Sequence, residues 1–168
     1  MQSGDEPNHS TVKLRPVELP DDEDFLQELY FSTRDDLRGL FGDEQQERQL
    51  MSAQYQGQKM TYAQEYPNSS HDIILFDGMA VGRLMINRLD DAIHGIDLAL
   101  LPEYRNRGIG AEILQILFAE AANRQVPFQI SVVKSNPAIR LYLRSGLTVD
   151  GETPTHVLMS WKNNDGSD

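Results

Sequence analysis

Between Thr11 and Trp161 the chain switches repeatedly between apolar residues at every second position and apolar residues at every third or fourth. Thr11 to Val17 sets Val12, Leu14 and Pro16 against polar neighbours, which predicts a first strand with Pro16 at its edge or exit. The acid-rich run Pro20-Asp21-Asp22-Glu23 then reads as a helix start, followed by Phe25, Leu26, Leu29 and Tyr30 at helical spacing. Gly39 to Gly42 interrupts that helix. A second helix is predicted from Asp43 to Tyr66, ended by Pro67-Asn68-Ser69-Ser70.

The middle of the chain is strand-like. His71–Phe76 and Met79–Ile86 flank Asp77-Gly78, a strong hairpin signal, and Ile93–Leu101 gives a third strand. A helix follows from about residue 110 to Arg124, with Ile113, Leu114, Leu117, Phe118 and Ala121 as its apolar stripe. Phe128–Val133 is a further strand, Pro137 opens a short helix over Ala138–Arg144, and Leu147–Val149 and His156–Trp161 close the pattern. The order β-α-α-β-β-β-α-β-α-β-β predicts one mixed α/β domain over residues 11–162. Residues 1–10 and 163–168 are polar and read as flexible tails.

Charge narrows the ligand. With 15 Lys and Arg against 26 Asp and Glu, the chain carries a formal −11, which argues against nucleic acid as a partner. Residues 101–145 run the other way, with six basic side chains against three acidic ones, and suit a small anion better than a polymer. The acidity elsewhere favours a cationic or amine-bearing second substrate, or serves solubility alone. The chain has no cysteine, so thiolate metal sites and a cysteine nucleophile are excluded, and the four histidines lack ligand spacing for a metal. No apolar run reaches the roughly 20 residues that a membrane span needs, and Met1 to Ser10 lacks a signal-peptide apolar stretch, so a cytoplasmic protein without membrane contact is expected. Whether it forms a homodimer is open.

The candidate chemistry sits at Arg105-Asn106-Arg107-Gly108-Ile109-Gly110, between the third strand and the long helix. Free N–H groups and the positive end of a helix dipole meet there beside two arginines, an arrangement suited to phosphate. A P-loop is excluded because no Gly-x-x-x-x-Gly-Lys-Ser/Thr run exists, and the dinucleotide pattern is only two-thirds present. Thirty residues on stands Asn136-Pro137-Ala138-Ile139-Arg140-Leu141-Tyr142-Leu143-Arg144-Ser145-Gly146-Leu147. The two motifs in this register resemble the GNAT superfamily of N-acetyltransferases, and the element order over residues 11–162 is similar as well.

The resemblance implies a central, mostly antiparallel sheet splayed between the strands ending near Leu100 and Lys134. It implies acetyl-CoA, or another acyl-CoA, as donor, with backbone N–H groups of Arg107, Gly108, Ile109 and Gly110 on the pyrophosphate, Arg105 and Asn106 beside them, and main-chain groups of Leu98 and Leu100 along the pantetheine arm. A Cβ at Gly108 or Gly110 is expected to block that approach. Asn136 corresponds to a family asparagine that touches the cofactor arm, and is equally a helix cap before Pro137. Tyr142 corresponds to the tyrosine that protonates the departing thiolate, with core packing as the alternative. Arg140 and Arg144 lie near the CoA phosphates or on a solvated face.

Some relatives carry a glutamate five positions before the asparagine; here that residue is Ser131. Asp97, a lone charge in an apolar run, is the first candidate for the base, or else an ion-paired carboxylate. His94 and His71 follow as lesser candidates. Tyr55, Tyr62, Glu65 and Tyr66 either shape an acidic-aromatic acceptor pocket or pack the second helix on the sheet. The resulting expectation is an acetyl-CoA-dependent N-acetyltransferase acting by direct attack of a primary amine of a small molecule, peptide or protein. A non-catalytic acyl-CoA-binding module and an O-acyltransferase are the alternatives.

Overall fold

A computed structural model describes residues 11–164; the segments 1–10 and 165–168, read above as tails, lie outside the described residues. Seven strands form one sheet in the order β1-β2-β3-β4-β5-β7-β6. In chain order the elements are β1 (Val12–Pro16), α1 (Glu23–Ser32), α2 (Glu44–Glu65), β2 (Ser70–Phe76), β3 (Met79–Arg88), β4 (Ile93–Leu100), α3 (Ile109–Arg124), β5 (Phe128–Val133), α4 (Ile139–Arg144), β6 (Thr148–Glu152) and β7 (His156–Trp161). The predicted order holds throughout. Single 3₁₀ turns at Asp35–Leu37 and Pro102–Tyr104 are additional. Strand β6 also runs further than its sequence suggests, because Asp150 is absorbed as a bulge between Val149 and Gly151 where Asp-Gly reads as a turn. The short helix starts at Ile139 rather than Ala138, so Pro137 precedes the cap.

Helices cover the sheet from both sides. On one face the apolar stripe of α3 (Ile113, Leu114, Leu117, Phe118, Ala121) packs on Ile86, Ile93, Phe128 and Met159, all buried. Phe118 stacks on Trp161 with centroids 4.5 Å apart and meets Phe128 edge-on at 5.8 Å. Each such side chain contributes about 1.5–3 kcal/mol on burial, which makes this cluster the main stabilising centre. On the other face Leu26 of α1 and Tyr55 of α2 bury against Ile73. Met51 of α2 packs with Phe31 and Leu37 in a smaller buried cluster, and the helix is started by Asp43, whose side chain accepts from the Gln45 N–H at 2.9 Å.

Every strand pair is antiparallel except β4 with β5. That parallel pair is short: only Ile93, His94 and Gly95 face Phe128, Gln129 and Ile130. Beyond those residues β4 stays on β3 to Leu100 and β5 stays on β7 to Val133. The sheet therefore opens into a V at its centre.

Candidate active site

The V is completed by a bulge. In β4, Gly95 faces Ile86 and Asp97 faces Met85, so Ile96 is an extra residue. Because side chains and hydrogen-bonding groups both alternate with period two, one added residue reverses the parity of everything after it. Before the bulge, Ile93 donates its N–H toward β5, to Pro127 O at 2.9 Å. After it, Leu101 donates toward β3, to Val81 O at 2.8 Å. Alternation then directs the main-chain groups of Leu98 and Leu100 to the edge that β5 has left. The side chains of Leu98 and Leu100 pack on the α3 core, while Asp97 is turned to the face that carries α2.

The cleft that results measures about 680 Å³, and its walls include Asp97, Leu98, Gln129, Ser131, Asn136 and Tyr142. Past the end of β4 the chain turns through Asn106 at φ +60° and Gly108 at φ +83°, the latter being the N-cap of α3. The first backbone bond of the helix is Glu112 N–H to Gly108 O, and none of the N–H groups of residues 107–110 donates to a backbone carbonyl among the described residues. Consecutive N–H groups left free at a left-handed turn and helix start make an anion-binding concavity. Arg105 donates from Nε to Leu100 O at 3.1 Å, and Arg107 lies over the Tyr104 ring at 5.3 Å. Both arginines are exposed beside the turn.

The two glycines differ. A Cβ at Gly108 meets no protein atom within 4 Å, so the space above it is open, while its φ disfavours any L side chain. At Gly110 a Cβ would come within 2.8 Å of Leu141 Cδ2. The expectation that both glycines keep space for a ligand is corrected for Gly110, whose missing side chain lets α4 pack on α3. Ile109 adds a buried side chain to the core.

Asn136 stands two residues before the Ala138 cap of α4 and closes the turn ahead of it, its Oδ1 accepting from the Ala138 N–H at 2.9 Å, while the residue itself lines the cleft. Tyr142 belongs to the core cluster and to the cleft wall at once. Its hydroxyl has no hydrogen-bond partner among the described residues. Burial, helped by the negative charge of Asp97, pushes its pKa up to about 12, so it is held as a proton donor.

Asp97 is ion-paired through Oδ2 with Arg83 of β3. Arg83 is buried, donates to Gln58 of α2 at 2.8 Å, and lies over the Tyr62 ring at 5.9 Å. The sequence reading missed this residue, although a lone arginine inside Ala80-Val81-Gly82-Arg83-Leu84-Met85-Ile86 is the same signal that singled out Asp97. It also passed over Asp150 and His156, which line the cleft from β6 and β7. His94 is tied through Nε2 to Gln129 Oε1 at 2.8 Å at the base of the V. His71 lies outside the cleft, beside a second cavity that also takes Tyr55, Tyr62 and Tyr66. Glu65 is exposed and, unlike the three tyrosines, lines neither cavity. Arg140 and Arg144 are exposed on α4. Among the described residues no group of three His, Asp or Glu is arranged to hold a metal, and no helix is long and apolar enough to cross a membrane.

The model of the acetyltransferase (GNAT) family matches residues 26–147, and the chain belongs to that family. Its fold is shared with the paia N-acetyltransferase of Thermoplasma acidophilum in complex with coenzyme A (TM-score 0.68, 16% identity, 91% of this chain and 99% of that one). It is also shared with a GNAT family acetyltransferase of Elizabethkingia anophelis with acetyl-CoA bound (0.58, 13%, 90% and 98%). A third is the ribosomal-protein-S5-alanine acetyltransferase of Vibrio fischeri (0.59, 14%, 94% and 96%). No curated protein matches the sequence.

Proposed function

We propose that the protein is an acetyl-CoA-dependent N-acetyltransferase that passes the acyl group directly to a primary amine. The observation that carries this reading is the succession of three features from the start of α3 into the V: the free N–H turn at residues 107–110, the edge of β4 that β5 has left at Leu98 and Leu100, and, in the cleft wall with Leu98, the unpartnered Tyr142 hydroxyl. They match in order the three parts of an acyl-CoA: pyrophosphate, pantetheine arm and thioester. The solved relatives bound to coenzyme A or acetyl-CoA support the same donor.

In this reading the pyrophosphate lies on the N–H groups of Arg107 to Gly110, with Arg105, Asn106 and Arg107 around it and Asn136 on the opposite wall against the arm. The amine lone pair attacks the thioester carbonyl carbon, and a backbone N–H near Leu100 stabilises the oxyanion. Collapse breaks the C–S bond, and Tyr142 protonates the thiolate. The amine proton goes to Asp97, whose Oδ2 is taken by Arg83 and whose Oδ1 has no partner among the described residues.

Two measurements test the assignment together: calorimetric titration with coenzyme A, and thiol release from acetyl-CoA over a broad panel of primary amines. Binding with amine-dependent release is the expected result. Tight binding with no release for any amine would reduce the protein to a binding module.

A further inference from the structure

The second cavity, about 310 Å³, lies between α1, α2 and the β2–β3 hairpin. It shares a wall with the catalytic cleft, since Tyr62 and Tyr66 line both. The Arg83–Asp97 pair crosses the same boundary, with Arg83 on the cavity side and Asp97 on the cleft side. Most of the cavity lining is apolar or aromatic, including Leu19, Leu26, Met85 and Tyr55.

Its charged groups are already matched. Arg83 is held by Asp97, and Lys59 donates to both carboxylate oxygens of Glu23 at 3.0 and 3.2 Å. His71 is half-buried with an unpartnered Nε2, and burial together with the positive charge of Arg83 holds its pKa below the ordinary 6.5, so it is neutral at pH 7. Tyr55 and Tyr62 are pushed up to about 12, chiefly by burial, and are neutral as well. A charged group entering the cavity would therefore lose its hydration without gaining a free counter-charge. A neutral ring or branched chain gains by displacing water from these walls.

We infer that this cavity is the specificity pocket for the acceptor: the amine stays in the cleft by Asp97, and a neutral apolar or aromatic body passes the Tyr62–Tyr66 wall to fill the space behind. The inference rests on the proposed amine acetylation and narrows its substrate class to primary amines with one charge and an apolar body. Amines carrying a second cation are disfavoured.

The test compares kcat/KM for ethylamine, 2-phenylethylamine and 1,5-diaminopentane with saturating acetyl-CoA. Burying a phenyl ring predicts an advantage of about 100-fold for 2-phenylethylamine over ethylamine, with the diamine no better than ethylamine. In Ala63→Trp, where a large side chain on α2 crowds the cavity, the ratio of 2-phenylethylamine to ethylamine should fall at least about tenfold. Leu19→Trp, on the opposite rim, should do the same, and coenzyme A affinity checks that each variant is folded. A diamine preference, or a ratio unchanged in both variants, overturns the inference. If no amine is acetylated, the function fails separately, and calorimetry on the coenzyme A complex decides the pocket. Binding of 2-phenylethylamine that is weakened in Ala63→Trp upholds it, and absence of binding removes it.

Discussion

Arg83 and Asp97 form an ion pair between neighbouring strands without standing opposite each other: Arg83 faces Ala99 in the ladder and Asp97 faces Met85. The diagonal becomes possible because the bulge at Ile96 turns Asp97 to the α2 face. Only 8% of the Arg83 side chain and 22% of the Asp97 side chain remain exposed.

Removing one member alone should therefore be costly. Arg83→Met leaves Asp97 partly buried and unpaired, and should destabilise the fold by about 3 kcal/mol in urea denaturation. Combined with Asp97→Leu the loss should shrink, because the stranded charge is gone; equal or greater loss in the double variant refutes the coupling.

Tyr142→Phe should lower kcat by about 10²–10⁴-fold while coenzyme A affinity stays within about twofold. Since the hydroxyl is pushed up to about 12, the wild-type enzyme should show no alkaline fall in kcat between about pH 8 and 10. An unchanged rate in the phenylalanine variant assigns the ring to packing.

At the turn, Gly108→Val places a side chain at φ +83° in the open space above the free N–H groups. Coenzyme A affinity should drop by at least about 100-fold, with a stability cost of about 1–2 kcal/mol. Gly110→Ala presses only on Leu141, so it should keep coenzyme A affinity within a few-fold and shift stability by no more than about 1 kcal/mol. Calorimetry on both variants separates ligand approach from helix packing.

Acid should weaken the fold through Asp22. Its carboxylate takes both Arg15 guanidinium nitrogens at 2.8 Å and the Glu18 N–H at 2.8 Å, which lowers its pKa to about 2. A depressed folded value stabilises above the unfolded value near 3.8 and is lost as pH falls through about 2. Asp22→Asn should be less stable than wild type at pH 6, by on the order of 1–2 kcal/mol. The gap should narrow between about pH 4 and 2; a gap independent of pH counts against the ion pair.

The element order, the left-handed turn at the start of α3 and the place of Tyr142 in the cleft wall were legible because each rests on local signals: periodicity, glycine at a helix start, and a motif of fixed spacing. The bulge at Ile96 was not. It is a register relationship between β3 and β4, and Gly95-Ile96-Asp97 reads as ordinary alternation without the partner strand. Arg83 escaped for a similar reason, since its meaning depends on Gln58, Tyr62 and Asp97, three residues far apart in the chain. Spacing alone could not separate Glu65 from its neighbours: the final turn of α2 faces solvent there, whereas Tyr62 and Tyr66 on the same helix end reach the cleft.

One experiment separates transfer to an amine at the Asp97–Tyr142 cleft from transfer to a hydroxyl. It is tested by product stoichiometry with an acceptor whose amine and hydroxyl are too far apart for acyl migration, 4-(2-aminoethyl)benzyl alcohol, read by thiol release and mass spectrometry. Amine transfer gives one amide, stable to hydroxylamine, for each thiol released, with both signals falling together in Tyr142→Phe. Thiol release accompanied by a hydroxylamine-labile ester, or by acetate with no acetylated amine, would rule amine transfer out.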